Sequence, residues 1–171
     1  MGEMRIIPSF LFLIIASLTF FSNSFAEIGG YPDPKFEICD EEKKDLIKNA
    51  HKKVIDIVNN SSCMSDDLRD KLKKKLNGGI TFKCVTWFCK NLCGRETVPV
   101  LGSTIGLCPG AFNPDVCGCL EAVELHELIH KGGGYRDEDK PQACELSCFP
   151  QCAKAEKNPD GSPKYPPCDC K

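Results

Sequence analysis

Apolar and polar positions alternate with a helical period in four stretches of the chain. Leu46, Ile47, Ala50, Val54, Ile57 and Val58 recur at that spacing behind Asp40, a candidate N-cap, with Glu41 and Glu42 in the first turn. Lys43, Lys44, Lys48, Lys52 and Lys53 occupy the opposite face, so an amphipathic helix with a solvated basic side is expected. His51 falls on or near that side and reads as a surface residue. Asn59-Asn60-Ser61-Ser62 ends the helix, and Asn60-Ser61-Ser62 is formally a glycosylation acceptor. Ser65 caps a second helix with Leu68, Leu72 and Leu76 as its buried stripe. Lys73, Lys74 and Lys75 compensate the dipole near its end, and Asn77-Gly78-Gly79 stops it.

The period then shortens. Ile80 to Phe88 is a β-prone run, and a second strand is expected at Ser103 to Cys108, before the Pro109-Gly110 turn. Leu120 to Lys131 contains neither Gly nor Pro and reads as a third helix. Gly132-Gly133-Gly134 ends it, because a glycine run favours left-handed and turn conformations. Asp139 is a candidate cap for a last helix, whose inner face carries Ala143, Cys144, Leu146 and Cys148 and which Pro150 stops. The flanks are aperiodic. Ala26 to Phe36 reads as an extended segment, and 157–171 as an irregular Pro-rich tail held by Cys168 or Cys170. The pattern predicts an α+β chain, mainly helical with a short β-sheet.

The first 26 residues stand apart. A short polar start with Arg5, an apolar run from Ile6 to Phe21 and small residues at Ser24 and Ala26 form a secretory signal, with cleavage expected between Ala26 and Glu27. A retained membrane anchor is the alternative. The rest, 27–171, is read as one domain. All 13 cysteines fall within it. Behind a signal peptide they imply an oxidising compartment, extracellular or periplasmic, and a disulfide framework with one cysteine left over. The rival use of Cys117-Gly-Cys119, or of Cys144, Cys148 and Cys152, is structural zinc. The net charge of −2 gives no basis for nucleic-acid binding, and no stable membrane association is expected after cleavage.

Candidate chemistry concentrates in the third helix, at His126-Glu127-Leu128-Ile129-His130. The chain has only three histidines, and two are here. Four residues apart on a helix, His126 and His130 share a face and can grip one metal ion, while Glu127 can act as a general base. An ordinary helix with two satisfied histidines is the plain alternative. A catalytic zinc site needs a third protein ligand. No His or Met follows His130, so a carboxylate (or a Cys) must serve. The glycine turn reverses the chain, so residues seven to nine positions past His130 can return to the metal. Asp137 ranks first, with Glu138 and Glu145 as alternatives and Asp139, occupied as a cap, behind them.

The segment from Ile105 to Asp137 resembles the aspzincin metallopeptidases, which include deuterolysin and the fungal peptidyl-lysine metalloendopeptidases. Ile105-Gly-Leu-Cys108 is similar to their edge strand, His126-Glu-Leu-Ile-His130 to their zinc helix, and Gly134-Tyr-Arg-Asp137 to their Gly-Thr-x-Asp ligand motif. Tyr135 stands where the family has Thr, and no Tyr-Gly follows the Asp. The spacing also approaches that of metzincins, but Arg136 holds their third-ligand position and no Met follows. The resemblance implies a zincin-like fold, one catalytic Zn2+ and hydrolysis of a protein or peptide substrate. Separately, the strand around Ile105 is a candidate to receive the substrate backbone, and Tyr135 is a possible oxyanion donor. Two other functions fit the residues: a non-enzymatic cysteine-rich binding or toxin module, and a metal-dependent amidase acting on non-protein amides.

Overall fold

A computed structural model of the chain describes residues 27–85, 89, 92–95, 102–154, 158–162 and 170. Helix α1 (Glu41–Asn60) begins at the expected cap, where the Asp40 carboxylate accepts the Lys43 amide at 2.9 Å. Its buried face is rotated from the expected one. Ile47, Ala50, His51, Val54, Ile55 and Val58 turn inward, and Leu46 is 46% exposed. Ile47, His51 and Ile55 are four residues apart and share a side of the helix. His51, expected at the surface, is therefore carried into the core with 1% exposure. Helix α2 (Asp66–Asn77) follows its pattern closely: Ser65 caps it, Leu68, Leu72 and Leu76 are buried, and Gly78 closes it. Of its lysine run, Lys75 reaches across to donate to the Gly102 carbonyl at 2.9 Å.

The N-terminal segment is more ordered than an extended arm. Strands β1 (Glu27–Ile28) and β2 (Tyr31–Pro32) form a hairpin whose two turn residues, Gly29 and Gly30, both have positive φ. Gly29 sits on α1, where a Cβ would lie 2.6 Å from Ile55, and the Tyr31 hydroxyl donates to Asn59 at 2.8 Å. Strand β3 (Lys35–Glu37) then opens a second sheet with β4 (Thr81–Cys84), β5 (Gly94–Arg95) and β6 (Thr104–Leu107), in the order β3-β4-β6-β5. The β3–β4 and β4–β6 pairs are parallel, and β5 runs antiparallel to β6. β4 and β6 are shorter than the runs that predicted them, and the end of the first run, 86–88, lies outside the described residues. Because β6 is paired on both sides, the strand around Ile105 has no free edge to offer a substrate. Among the described residues, the outermost strand on that side of the sheet is β5.

After β6, a 3-10 turn (Pro109–Phe112) and the short helix α3 (Pro114–Cys117) lead into α4 (Leu120–Leu128). A single π turn (Ile129–Gly133) extends α4, and α5 (Asp139–Cys148) follows. Phe82, Ile105 and Leu107 of the sheet join Ile47, Ile55, Leu68, Leu72, Leu125 and Leu128 in one core.

Six bridges lock this arrangement: Cys39–Cys84, Cys63–Cys148, Cys89–Cys108, Cys93–Cys117, Cys119–Cys152 and Cys144–Cys170. They engage every cysteine of the two stretches that were candidates for structural zinc, each with a partner outside its own stretch. Cys170 ties the tail to α5, and Cys168 lies outside the described residues. Bridges in this number are typical of proteins exported to an oxidising compartment. Among the described residues no helix is long and apolar enough to cross a membrane.

Candidate metal centre

Helix α4 is buried on nearly every side. α1 and α5 pack against it, and β5 and β6 lie alongside. It carries acids at Glu121, Glu124 and Glu127, three residues apart and all buried. Lys53 pairs with Glu121 at 2.6 Å, and His51 pairs with Glu124 Oε1 at 2.5 Å. Both partners therefore come from α1, and they fix how the two helices register. Burial pushes the Glu124 carboxyl up and the charge on His51 opposes it. Removing one member of such a pair strands the other. His51→Leu is expected to destabilise the fold by about 3–5 kcal/mol, and His51→Leu with Glu124→Leu to recover much of that loss, read from urea unfolding midpoints.

The helix continues past Leu128 in a π turn, whose i→i+5 bonding opens the coil by one residue. The three glycines serve different ends there. Only Gly134 has positive φ, and it closes the turn in the left-handed region. Gly132 and Gly133 permit close packing instead. A Cβ at Gly132 would meet Leu72 at 2.9 Å, and one at Gly133 would meet the Tyr135 ring at 2.7 Å. The Tyr135 main-chain carbonyl meanwhile accepts from His130 Nδ1 at 2.8 Å. The structure thus gives Tyr135 a packing role and a backbone role.

The His126 and His130 Nε2 atoms lie 3.0 Å apart. Glu138 Oε2 is 2.8 Å from the first and 3.4 Å from the second. Three donors at about 2.0–2.2 Å from one ion, in tetrahedral array, would be separated by about 3.3 Å. The observed triangle is close to that, so the residues fit a metal ion. Both Nδ1 atoms face the other way and are engaged. His130 Nδ1 meets the Tyr135 carbonyl, and His126 Nδ1 meets Glu145 Oε1 at 3.3 Å. Glu145 is in turn held by the Gln142 amide at 2.7 Å. Anchoring Nδ1 fixes the ring tautomer that presents Nε2 to a metal.

Of the candidate third ligands, then, Glu138 joins the histidines and Glu145 braces one from behind. Asp137 is exposed, and among the described residues it does not belong to the metal-competent group. The reason is local. Glu138, not Asp139, occupies the cap position of α5, with helical backbone and no capping bond from its side chain, so its carboxylate is available to reach back over α4.

Glu127 is also buried. Its Oε2 has no hydrogen-bond partner, and its other oxygen packs on Gly94 of β5, where a Cβ would lie 2.0 Å from Oε1. Burial lifts the Glu127 carboxyl to about 7 against the opposing pull of His126 and His130. For His126, burial disfavours the charge, but Glu138 and Glu145 outweigh it and lift the pKa to about 10. His130 is raised as well: burial opposes its charge, but Glu138 and the Tyr135 carbonyl prevail. Glu138, hydrogen-bonded by His126 and His130, is held well below the usual carboxylate range.

Gly94, Gln142 and the His51–Glu124 pair were not among the expected site residues. The in-phase acids of α4 are the one signal that could have pointed to the pair. No known protein family, curated protein or solved structure matches this chain.

Proposed function

We propose that this chain is a secreted zinc-dependent metalloendopeptidase with a zincin-like arrangement around α4. The observation that carries the reading is the triangle of His126 Nε2, His130 Nε2 and Glu138 Oε2, with the buried, unpartnered Glu127 oxygen on the residue beside His126. Two imidazoles and a carboxylate, with a fourth position left open, are a donor set of catalytic zinc sites. Zinc held there would supply Lewis acidity, polarising a scissile carbonyl and making water a nucleophile at neutral pH. Glu127, with its free buried oxygen, would accept a proton from the attacking water and pass it to the leaving amine. Glu145 and the Tyr135 carbonyl keep both rings turned toward the ion.

A protein or peptide substrate is proposed to add as a strand along β5, the strand whose Gly94 touches Glu127. The six bridges and the leader 1–26 support export. Neither nucleic acid nor a membrane enters the reading.

The test is metal analysis of the purified mature chain, followed by cleavage of an unfolded protein substrate. The expected result is one zinc per chain, with cleavage abolished by a chelator and restored by zinc. A chain that holds no zinc and cleaves nothing would be a cysteine-rich binding module. Zinc-dependent release from non-protein amides alone would make it an amidase.

A further inference from the structure

Beneath the N-terminal hairpin, sharing no residue with the metal centre, lies a cavity of about 580 Å3 whose walls include Glu27, Asp33, Lys35, Gly79, Thr81 and Ser103. Asp33 Oδ1 is shut off from solvent and has no hydrogen-bond partner. A carboxylate oxygen in that state is unfavourable, and native folds supply such groups with a donor. Lys35 lines the same cavity but is exposed and does not pair with it.

The register of the hairpin indicates another donor. Glu27 lies opposite Pro32 in an antiparallel pair. Opposed residues of such a pair are about 4.5–5.5 Å apart at Cα. Because the strands run in opposite directions, the nitrogen end of Glu27 faces the side on which Pro32 continues into Asp33. While residue 26 is attached, that nitrogen is an uncharged amide with one hydrogen. Cleavage after Ala26 makes it a primary ammonium with three donors, charged in the main at neutral pH because an α-amino group titrates at about 7.7–8.0.

We propose that Asp33 and the cavity around it form an ammonium site whose occupant is the chain's own new N-terminus at Glu27. Hydrolysis of the Ala26–Glu27 peptide bond adds water across it, leaving a carboxylate on the departing leader and the ammonium on Glu27. The ammonium then satisfies Asp33 Oδ1 and latches the hairpin, already seated on α1 through Gly29 and Tyr31, against the turn between α2 and β4. Processing thereby completes the fold at a point remote from the metal. The inference rests on cleavage at Glu27 and is independent of the peptidase reading.

A four-way comparison tests it: the chain beginning at Glu27, the chain retaining Ser22 to Ala26, which keeps the Glu27 nitrogen an amide and carries its ammonium five residues away, and each with Asp33→Asn. The secreted protein is expected to begin at Glu27 by N-terminal sequencing. The chain beginning at Glu27 is expected to melt about 3 °C above the one retaining Ser22 to Ala26, and the two Asp33→Asn forms to melt within about 1 °C of each other. The rate of α-amine acylation in the unsubstituted chain, which needs no variant to fold, is expected to be at least ~10-fold below that of a Glu27–Tyr31 peptide, because a paired ammonium releases its proton less readily. A different N-terminus, a melting difference that survives Asp33→Asn, or peptide-like acylation would overturn the proposal.

Discussion

Glu127→Gln is expected to keep one zinc ion per chain and to lose peptide hydrolysis by roughly 10²–10⁴-fold, the contribution of a positioned general base. The amide has the shape of the carboxylate and can keep the same packing on Gly94, so the helix and its ligands have no reason to move. What it lacks is the oxygen that accepts a proton. Stability should hold or rise slightly, since the substitution replaces an ionisable group whose pKa burial already raises. Metal analysis, a melting curve and single-turnover cleavage separate these effects. Undiminished cleavage by Glu127→Gln would remove Glu127 from the mechanism, whatever the metal content.

The second large effect distinguishes three neighbouring acids. Glu138→Ala is expected to weaken zinc binding by far more than 100-fold, because it removes a donor from the triangle. Glu145→Gln keeps the ligands and alters only the brace on His126 Nδ1, a change worth roughly 10–100-fold in affinity. Asp137→Asn should leave the affinity unchanged, because that side chain lies outside the group. Competition with a zinc-binding dye, at fixed pH, measures all three. The ranking matters more than any single value. Loss on Asp137→Asn, with retention on Glu138→Ala, would restore the ligand that chain order alone favoured.

That contrast shows what could be read from the residues. The existence and cap of α1, the buried stripe of α2, the position of His126-Glu127-Leu128-Ile129-His130 on a helix, and the glycine stop behind it follow from spacing. Spacing does not say which of three adjacent acids faces inward, because the direction of each side chain turns with its local backbone. Asp137 lies in a bend, whereas Glu138 has helical backbone at the head of α5. The same sensitivity moved His51 from the surface to the core. β5 is only two residues long and leaves no periodicity to detect, yet it places Gly94 against Glu127. Disulfide partners 19 to 85 residues apart in the chain leave no local signature either.

Both carboxylates that engage the histidines belong to α5 or its first cap, and α5 is stapled twice. Cys144 precedes Glu145 and is joined to Cys170; Cys148 closes the helix and is joined to Cys63. Oxidation and metallation would therefore occur in a fixed order. A reduced chain keeps both imidazoles on α4 but lacks the two covalent ties that hold Glu138 and Glu145 over them. If the chain takes up zinc as proposed, uptake would report on completed oxidative folding, and affinity for the ion would climb as Cys144 and Cys148 find their partners.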